Sequence, residues 1–502
     1  MKYKVKDYED IRQWVDGMTE EELLLSVTCP NMSHDQHVVY PGTSAVFFHT
    51  PALLEEHIEE YRAKCKVHPL IVADMEGAYV PMRATANSGE PKLAYEVGKH
   101  IGAQNAPLGF HWGLGPCVDI TGNPDCPIVT ARTPGRTVEE NIAFGTEVIK
   151  GMQDYGIIAT AKHFPGDGYC TYDQHLCTAV NPLPFDEWME TFGKSYKAFI
   201  ECGLKSIMPG HISLPSYDDI DEKTGLHRPA TLSKKLMVDL LRKELGFEGI
   251  IISDGVTMGG FYGYMNLYRA CAESLEAGCD LLLFAIPNER FMKEMHKLIE
   301  EGVLTIDTLR DRAYRMWCFV REHTEEWEYT KHTLTEEEKT SLANELGEKA
   351  PCVERDRYNQ LPLNIKKDSK VLINIINVDA PTNPFIDRIV ENIKARVDDV
   401  DMLNDAGPEA TIRQVNSKDY DAVICYIAPG MQGYGTNMAR LSGPIARNMM
   451  GGWQRMGAPV VFITPSISIG AEYVSTIDML INTNSSTQNT TADKIIEMIM
   501  GK

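Results

Sequence analysis

The 502-residue sequence is poor in positive charge, with 49 Lys and Arg against 71 Asp and Glu, a formal net charge of −22. Such a surface repels polyanions, so neither nucleic acid nor an anionic membrane is expected as a partner. Neutral ligands are unaffected. No apolar run approaches the roughly 20 residues needed to span a bilayer. The basic start, Met1 to Asp7, is not followed by an apolar segment, so no signal peptide is expected. The 12 cysteines contain no Cys-x-x-Cys, and several (Cys117, Cys271, Cys279, Cys425) sit inside apolar runs. They read as buried thiols in a reducing compartment rather than as a disulfide frame, which predicts a cytoplasmic protein. There is no His-x-His or His-Glu-x-x-His, and no Gly-x-Gly-x-x-Gly follows the apolar run that begins at Val371. Neither a metal nor a nucleotide cofactor is therefore expected. Internal repeats and long low-complexity tracts are also missing.

An apolar share of 43% and a charged share of 24% are ordinary for a globular protein, and the length asks for two domains. Thr19 followed by Glu20, Glu21 and Glu22 before Leu23-Leu24-Leu25 marks a helix start in a helical lead-in. Short apolar runs then alternate with helical stretches such as 138–155 and 234–245. The strand candidates are 45–48, 70–73, 115–118, 157–161, 206–208, 250–252 and 281–284. Short buried strands alternating with helices predict a parallel sheet covered on both faces. The fold class is α/β. Residues 1–335 are expected to form a (β/α)8 TIM-like barrel, with a doubly wound open sheet as the alternative. Residues 336–369 read as a helical segment and linker. A second alternation, with strands at 371–376, 422–427, 459–463 and 479–481, predicts a smaller flavodoxin-like α/β sandwich over 370–502. Gly430 to Gly435 reads as a flexible surface loop, or as one that overhangs the barrel.

Polar residues mark the ends of these strands. Asp74, Asp119, the pair Lys162 and His163, His211 and Asp254 sit at or just past the C-terminal ends of five different runs. In a barrel those ends converge on the face that carries chemistry. Helix-capping acids account for only some of the repetition. The densest stretch is Lys162-His163-Phe164-Pro165-Gly166-Asp167-Gly168, followed by Asp173-Gln174-His175. In extended chain, residues i and i+2 point the same way, so the Asp173 carboxylate can hold one nitrogen of His175 and leave the other to exchange a proton. The glycines predict a mobile loop that swings in over a substrate. An isolated Asp-x-His would more simply be a loop histidine beside an acid, and a lone Asp254 would more simply cap a helix.

The offsets from Lys162 to Asp173 and His175, together with Ser253-Asp254 at a strand tip, resemble the β-N-acetylglucosaminidase branch of glycoside hydrolase family 3. The resemblance covers most of residues 20–330 and implies a retaining glycosidase with no cofactor. Asp254 would then be the nucleophile and His175 the acid and base, with Asp173 holding it. It assigns Asp74, Lys162, His163, Arg132 and, displaced by one position, Arg83 to the sugar. His211 would line the pocket or serve as a buried structural histidine. The partners implied are β-linked aminosugar glycosides, whether cell-wall or chitin fragments. Ala78 and Tyr79 stand where the family has Gly and Arg, Asp167 where the branch often has His, and Gly255 where a second Asp is common. Three other readings remain open at this level: phosphorolysis, with phosphate replacing water; a metal hydrolase using His163, His175, Asp173 and His211; and a non-catalytic sugar-binding barrel.

Overall fold

A computed structural model describes residues 2–32, 38–48, 54–123, 126–129, 132–377, 383–428, 447–465 and 476–501. The chain divides into two compact units. The first comprises Met1–Ala78, Ala94–Val129 and Thr133–Leu334; the second comprises Tyr79–Leu93, Thr130–Arg132 and Thr335–Lys502. Both are α/β.

In the first unit, seven strands pair in parallel in the spatial order Ile250–Ile251, Ser206–Pro209, Ile158–Phe164, Trp112–Leu114, Leu70–Asp74, Ala45–Phe48 and Asn31–Met32. Beyond Ile251 the pairing continues through a parallel bridge between Ile252 and Leu281, and Leu282–Leu283 pairs with Thr28–Cys29. The sheet curls back to the segment that opened it. Its strands are buried on both faces: every residue of Ile158–Phe164 is buried, as are all of Ala45–Phe48. This explains why they read as continuous apolar runs rather than alternating ones. Inside the sheet, Trp112 donates its Nε1–H to Thr160 Oγ1 at 2.7 Å and meets the edge of Phe319 with ring centroids 5.4 Å apart.

The lead-in forms two helices, Glu9–Asp16 and Glu20–Ser26, the latter closed by a capping box between Thr19 and Glu22. The strand expected at 115–118 lies instead at Trp112–Leu114, with an isolated bridge from Cys117 to Lys162. Pro116 has no amide hydrogen to continue a ladder there. The pairs at 28–29 and 31–32 gave no sequence signal, being two residues each and separated by Pro30.

The second unit holds a six-stranded sheet ordered Cys352–Asp356, Met479–Asn482, Val460–Thr464, Ala422–Ala428, Lys370–Asn377, Asp399–Asn404, with only the first pair antiparallel. Side chains alternate along the central strand, so Val371, Ile373 and Ile375 join one apolar cluster while Leu372 and Ile376 join another. Helices Pro384–Lys394 and Asn489–Met500 cover the first face, and Pro408–Val415 the second. The segment 336–369, expected as a helical segment and linker, supplies helix Glu336–Lys349 and the edge strand Cys352–Asp356 to this unit. Its mixed charges suit an edge strand, which keeps one side in water. Gly430–Gly435 lies outside the described residues.

In the first unit, helices Pro91–Asn105 and Val138–Asp154 approach at Gly98 and Gly151. A Cβ on Gly98 would lie 2.3 Å from the Val148 carbonyl oxygen, and one on Gly151 would lie 2.3 Å from that of Tyr95. Alanine would gain about 1 kcal/mol of helix propensity. Forcing two backbones apart costs about 1–3 kcal/mol or more. Sterics should win, so Gly98→Ala should lower the urea midpoint of the first unit. A raised midpoint would contradict this close helix contact.

Candidate active site

The strand Ile158–Phe164 runs into a turn at 165–168, and a single carboxylate holds that turn. Asp119 is fully buried. Its Oδ1 accepts the backbone N–H of His163 at 3.1 Å and of Asp167 at 2.7 Å, while its Oδ2 takes His163 Nδ1 at 2.7 Å. The Cys117 thiol donates to the same Oδ2 at 3.2 Å. Burial pushes this carboxyl up, but the His163 ring and these N–H donors outweigh it and hold it below the usual range. Gly166 and Gly168 adopt φ of +121° and +107°, and a Cβ on Gly168 would lie 2.0 Å from the Ile120 carbonyl oxygen. Trp188 Nε1 donates to the Pro165 carbonyl at 2.7 Å, and Asn181 Nδ2 to that of Gly166 at 3.0 Å. The glycines serve a rigid turn.

Because Nδ1 of His163 is taken by Asp119, its Nε2 faces Oδ2 of Asp254 at 3.9 Å. Asp254 follows the strand Ile250–Ile251, and the Gly255 N–H fixes its Oδ1 at 2.8 Å. Oδ2 is buried and has no hydrogen-bond partner among the described residues. Burial alone would raise this carboxyl; His163, His211, Lys162 and the Gly255 N–H together bring it below the ordinary range. Asp254 is thus an ionised carboxylate with one oxygen held and the other uncommitted. Lys162, also buried, reaches Asp74 Oδ1 at 3.2 Å and Glu76 Oε1 at 2.7 Å. The Asp74 side chain is largely exposed, so this strand end offers an ammonium and two carboxylates to a polar ligand.

His175 Nδ1 lies 2.7 Å from Asp173 Oδ1, which also accepts the His175 backbone N–H at 2.8 Å. Residues 174–176 form a turn rather than extended chain, so the pair meets because Asp173 caps its own turn. Nor is the loop detached. The carbonyls of Gln174 and His175 accept N–H groups from Gly260 and Gly259 at 3.1 and 2.7 Å, and Gln174 Oε1 accepts the His211 N–H at 2.8 Å. These bonds tie the dyad to the segment leaving Asp254. The expected mobile loop is here a docked one.

His211 is fully buried, with Nε2 on the Gly255 carbonyl at 3.0 Å and Nδ1 on Thr231 Oγ1 at 2.9 Å. Burial, against the opposing pull of Asp254, lowers its pKa and keeps the ring neutral. It therefore does not line a pocket. It positions the Gly255 carbonyl beside Asp254, because a carbonyl requires a donor at Nε2 and the Thr231 hydroxyl then supplies Nδ1. Arg83 and Arg132 group with the second unit; Arg83 is buried on helix Met82–Asn87, which packs on Glu336–Lys349. Sequence reasoning missed Glu76, one of many acids beyond a strand end, and the role of Asp119 as partner to His163. Among the described residues, the one cluster with metal-ligand spacing is Cys117, Asp119 and His163, whose donors are spent on one another. His175, Asp173 and His211 do not join it.

The depressed Asp254 carboxyl carries a pH expectation. A carboxylate whose pKa is lowered stays charged as pH falls, until the lowered value is passed. The acid limb of the activity profile from this group should therefore lie below about pH 3.9, the reference value for aspartate. A carboxylate-type acid limb above that value would contradict a lowered Asp254 carboxyl.

The profile of the Glycosyl hydrolase family 3 N terminal domain matches residues 70–318. A Beta-N-acetylglucosaminidase/beta-glucosidase of Cellulomonas fimi is 35% identical over 243 residues, covering 48% of this chain and 43% of its own length. A Beta-hexosaminidase of Pasteurella multocida is 30% identical over 261 residues, covering 48% of this chain and 71% of its own. The match thus spans less than half of the first relative. Among solved structures, Beta-glucoside phosphorylase BglX superposes with a TM-score of 0.84 at 23% identity, covering 100% of this chain and 95% of its own. A glycoside hydrolase family 3 beta-N-acetylglucosaminidase from Paenibacillus superposes at 0.76 and 20% identity, covering 97% and 98%. At these identities the structures speak to fold alone.

Proposed function

The chain belongs to glycoside hydrolase family 3, and on that premise we propose that it is a retaining glycosidase releasing terminal β-linked N-acetylglucosamine or a related N-acetylhexosamine. The observation that carries this reading is the Asp254 carboxylate, with Oδ1 pinned by Gly255 and Oδ2 buried without a hydrogen-bond partner among the described residues. An ionised oxygen freed of hydrogen bonds is a nucleophile for an anomeric carbon. In the first step Oδ2 forms the bond to that carbon as the glycosidic bond breaks, and His175 gives a proton from Nε2 to the departing oxygen. In the second step the neutral imidazole takes a proton from water as that water displaces Asp254. Asp173, bound to Nδ1, fixes the tautomer and offsets the charge of the imidazolium. Asp74, Lys162 and His163 hold the hydroxyls of the terminal sugar. We read the curled sheet of the first unit as a (β/α)8 barrel, since its pairings return to their start. The second unit we read as flavodoxin-like, since its parallel strands run 2-1-3-4-5. The residue boundaries 1–335, 336–369 and 370–502 stay with that proposal, modified by the strand and helix that 336–369 adds to the second sheet.

One observation favours a second reading on the same residues. The dyad sets the Asp173 carboxylate behind Nδ1 of His175, so an incoming phosphate would meet an imidazole rather than a carboxylate, and attack by phosphate instead of water is feasible. Release of phenol from an aryl N-acetyl-β-glucosaminide, with and without phosphate, separates the two. The wild type is expected to turn over, and Asp254→Ala to lose about 10³-fold or more. In kcat/KM, which reports the first step, His175→Ala should lose about 10²–10⁴-fold with poor leaving groups and little with strongly activated phenols. Strong phosphate stimulation with formation of a sugar 1-phosphate would select phosphorolysis. No turnover by the wild type would leave a sugar-binding protein.

A further inference from the structure

We propose that Tyr172, Leu176 and Tyr262 form an apolar rim that receives the leaving group, selecting glycosides whose aglycone presents an uncharged flat face, either an aryl ring or the face of a second pyranose. This rests on the acid role assigned to His175 above. With Nδ1 turned to Asp173, the leaving oxygen must meet Nε2, so the atoms beyond that oxygen lie beside the neighbours of His175. Those neighbours are apolar and open: Leu176 is 78% exposed and Tyr172 59%. A third comes from the segment that docks the loop. The Gly259 N–H holds the His175 carbonyl, and a Cβ on Gly259 would lie 2.4 Å from the Leu176 carbonyl oxygen, so this turn passes directly under the dyad loop. It ends at Tyr262, 51% exposed. Two residues on, the Tyr264 hydroxyl bonds Thr224 Oγ1 at 2.9 Å and the Leu226 carbonyl at 3.3 Å, adding the hairpin that carries exposed Ile220 and Leu226.

Single exposed apolar residues need no explanation; five on three segments joined in series by hydrogen bonds, the first of them carrying the proton donor, do. The charges nearby close on themselves. Arg228 bonds Asp221 and Glu273, and Lys235 bonds Asp219, leaving Lys223 next to Glu222 at the hairpin tip. Among the described residues, the rim offers apolar faces and no cluster of spare cations for a carboxylate-bearing aglycone.

The test is calorimetric binding to protein carrying Asp254→Asn, so that glycosides stay intact. The ligands are an aryl N-acetyl-β-glucosaminide, a β-linked disaccharide of N-acetylglucosamine, a carboxylated aryl glycoside and free N-acetylglucosamine. The two uncharged glycosides should bind several-fold tighter than the carboxylated one, and the stronger of the two names the source of the flat face. Leu176→Asp and Tyr262→Ser, both at exposed sites, should each weaken the uncharged glycosides by about tenfold or more, as expected for losing one apolar contact. Free N-acetylglucosamine should be unaffected. Equal binding of charged and uncharged aglycones, or substitutions that change nothing, would overturn the rim. If the wild type turns over aryl glycosides while that happens, only this inference falls. If the wild type neither binds nor turns over any of them, the glycosidase reading falls first.

Discussion

The site hangs on one buried carboxylate. Asp119 lies in no solvent and accepts three N–H groups from the turn after Phe164 and from His163 itself. A carboxylate so placed is tolerable only because the donors replace its lost hydration. In return it fixes both ends of the Lys162–Gly168 turn and aims the other nitrogen of His163 at Asp254. Lys162, one residue away, is turned to Asp74 and Glu76 by the same strand end. An acid at one strand end thus orders the end of the next, from which Lys162 and His163 face Asp74, Glu76 and Asp254.

The second half of the site is held by backbone rather than by charge. Gly259 and Gly260 donate to the dyad loop, and their lack of Cβ atoms permits the approach: a Cβ on Gly260 would lie 2.6 Å from the Gln174 carbonyl oxygen. His211, kept neutral by burial, ties Thr231 to Gly255, and its own N–H reaches Gln174. The proton donor and the nucleophile therefore share one scaffold. Movement of the dyad loop would have to break several hydrogen bonds at once, so loop order and nucleophile geometry are coupled.

Much of this was legible in the sequence because chemistry and topology left separate marks. Apolar runs gave most of the strands, and the polar residues at their ends gave Asp74, Lys162, His163 and Asp254 as neighbours. The strand pairs at 28–29 and 31–32 were not legible, since two-residue strands around Pro30 have no periodicity to detect. His211 suited pocket or core equally by type, and only its two occupied nitrogens decide. The Asp173–His175 pairing was foreseen for a geometric reason that does not apply, because an Asx-type turn replaces extended chain. Arg83 and Arg132 lie on segments that contact later parts of the chain, a long-range property that local pattern does not carry. The edge strand at 352–356 was hidden by its charges, which resemble those of a linker.

The central claim is that Asp254 becomes covalently bonded to the sugar. The most direct measurement is peptide mass spectrometry of His175→Ala protein quenched during turnover of an aryl N-acetyl-β-glucosaminide with an activated phenol, where the second step lacks its base. A double displacement through Asp254 leaves an N-acetylhexosamine adduct on the peptide containing Asp254, absent when Asp254→Ala is added. Turnover without an adduct at that residue, or with one elsewhere, would contradict it.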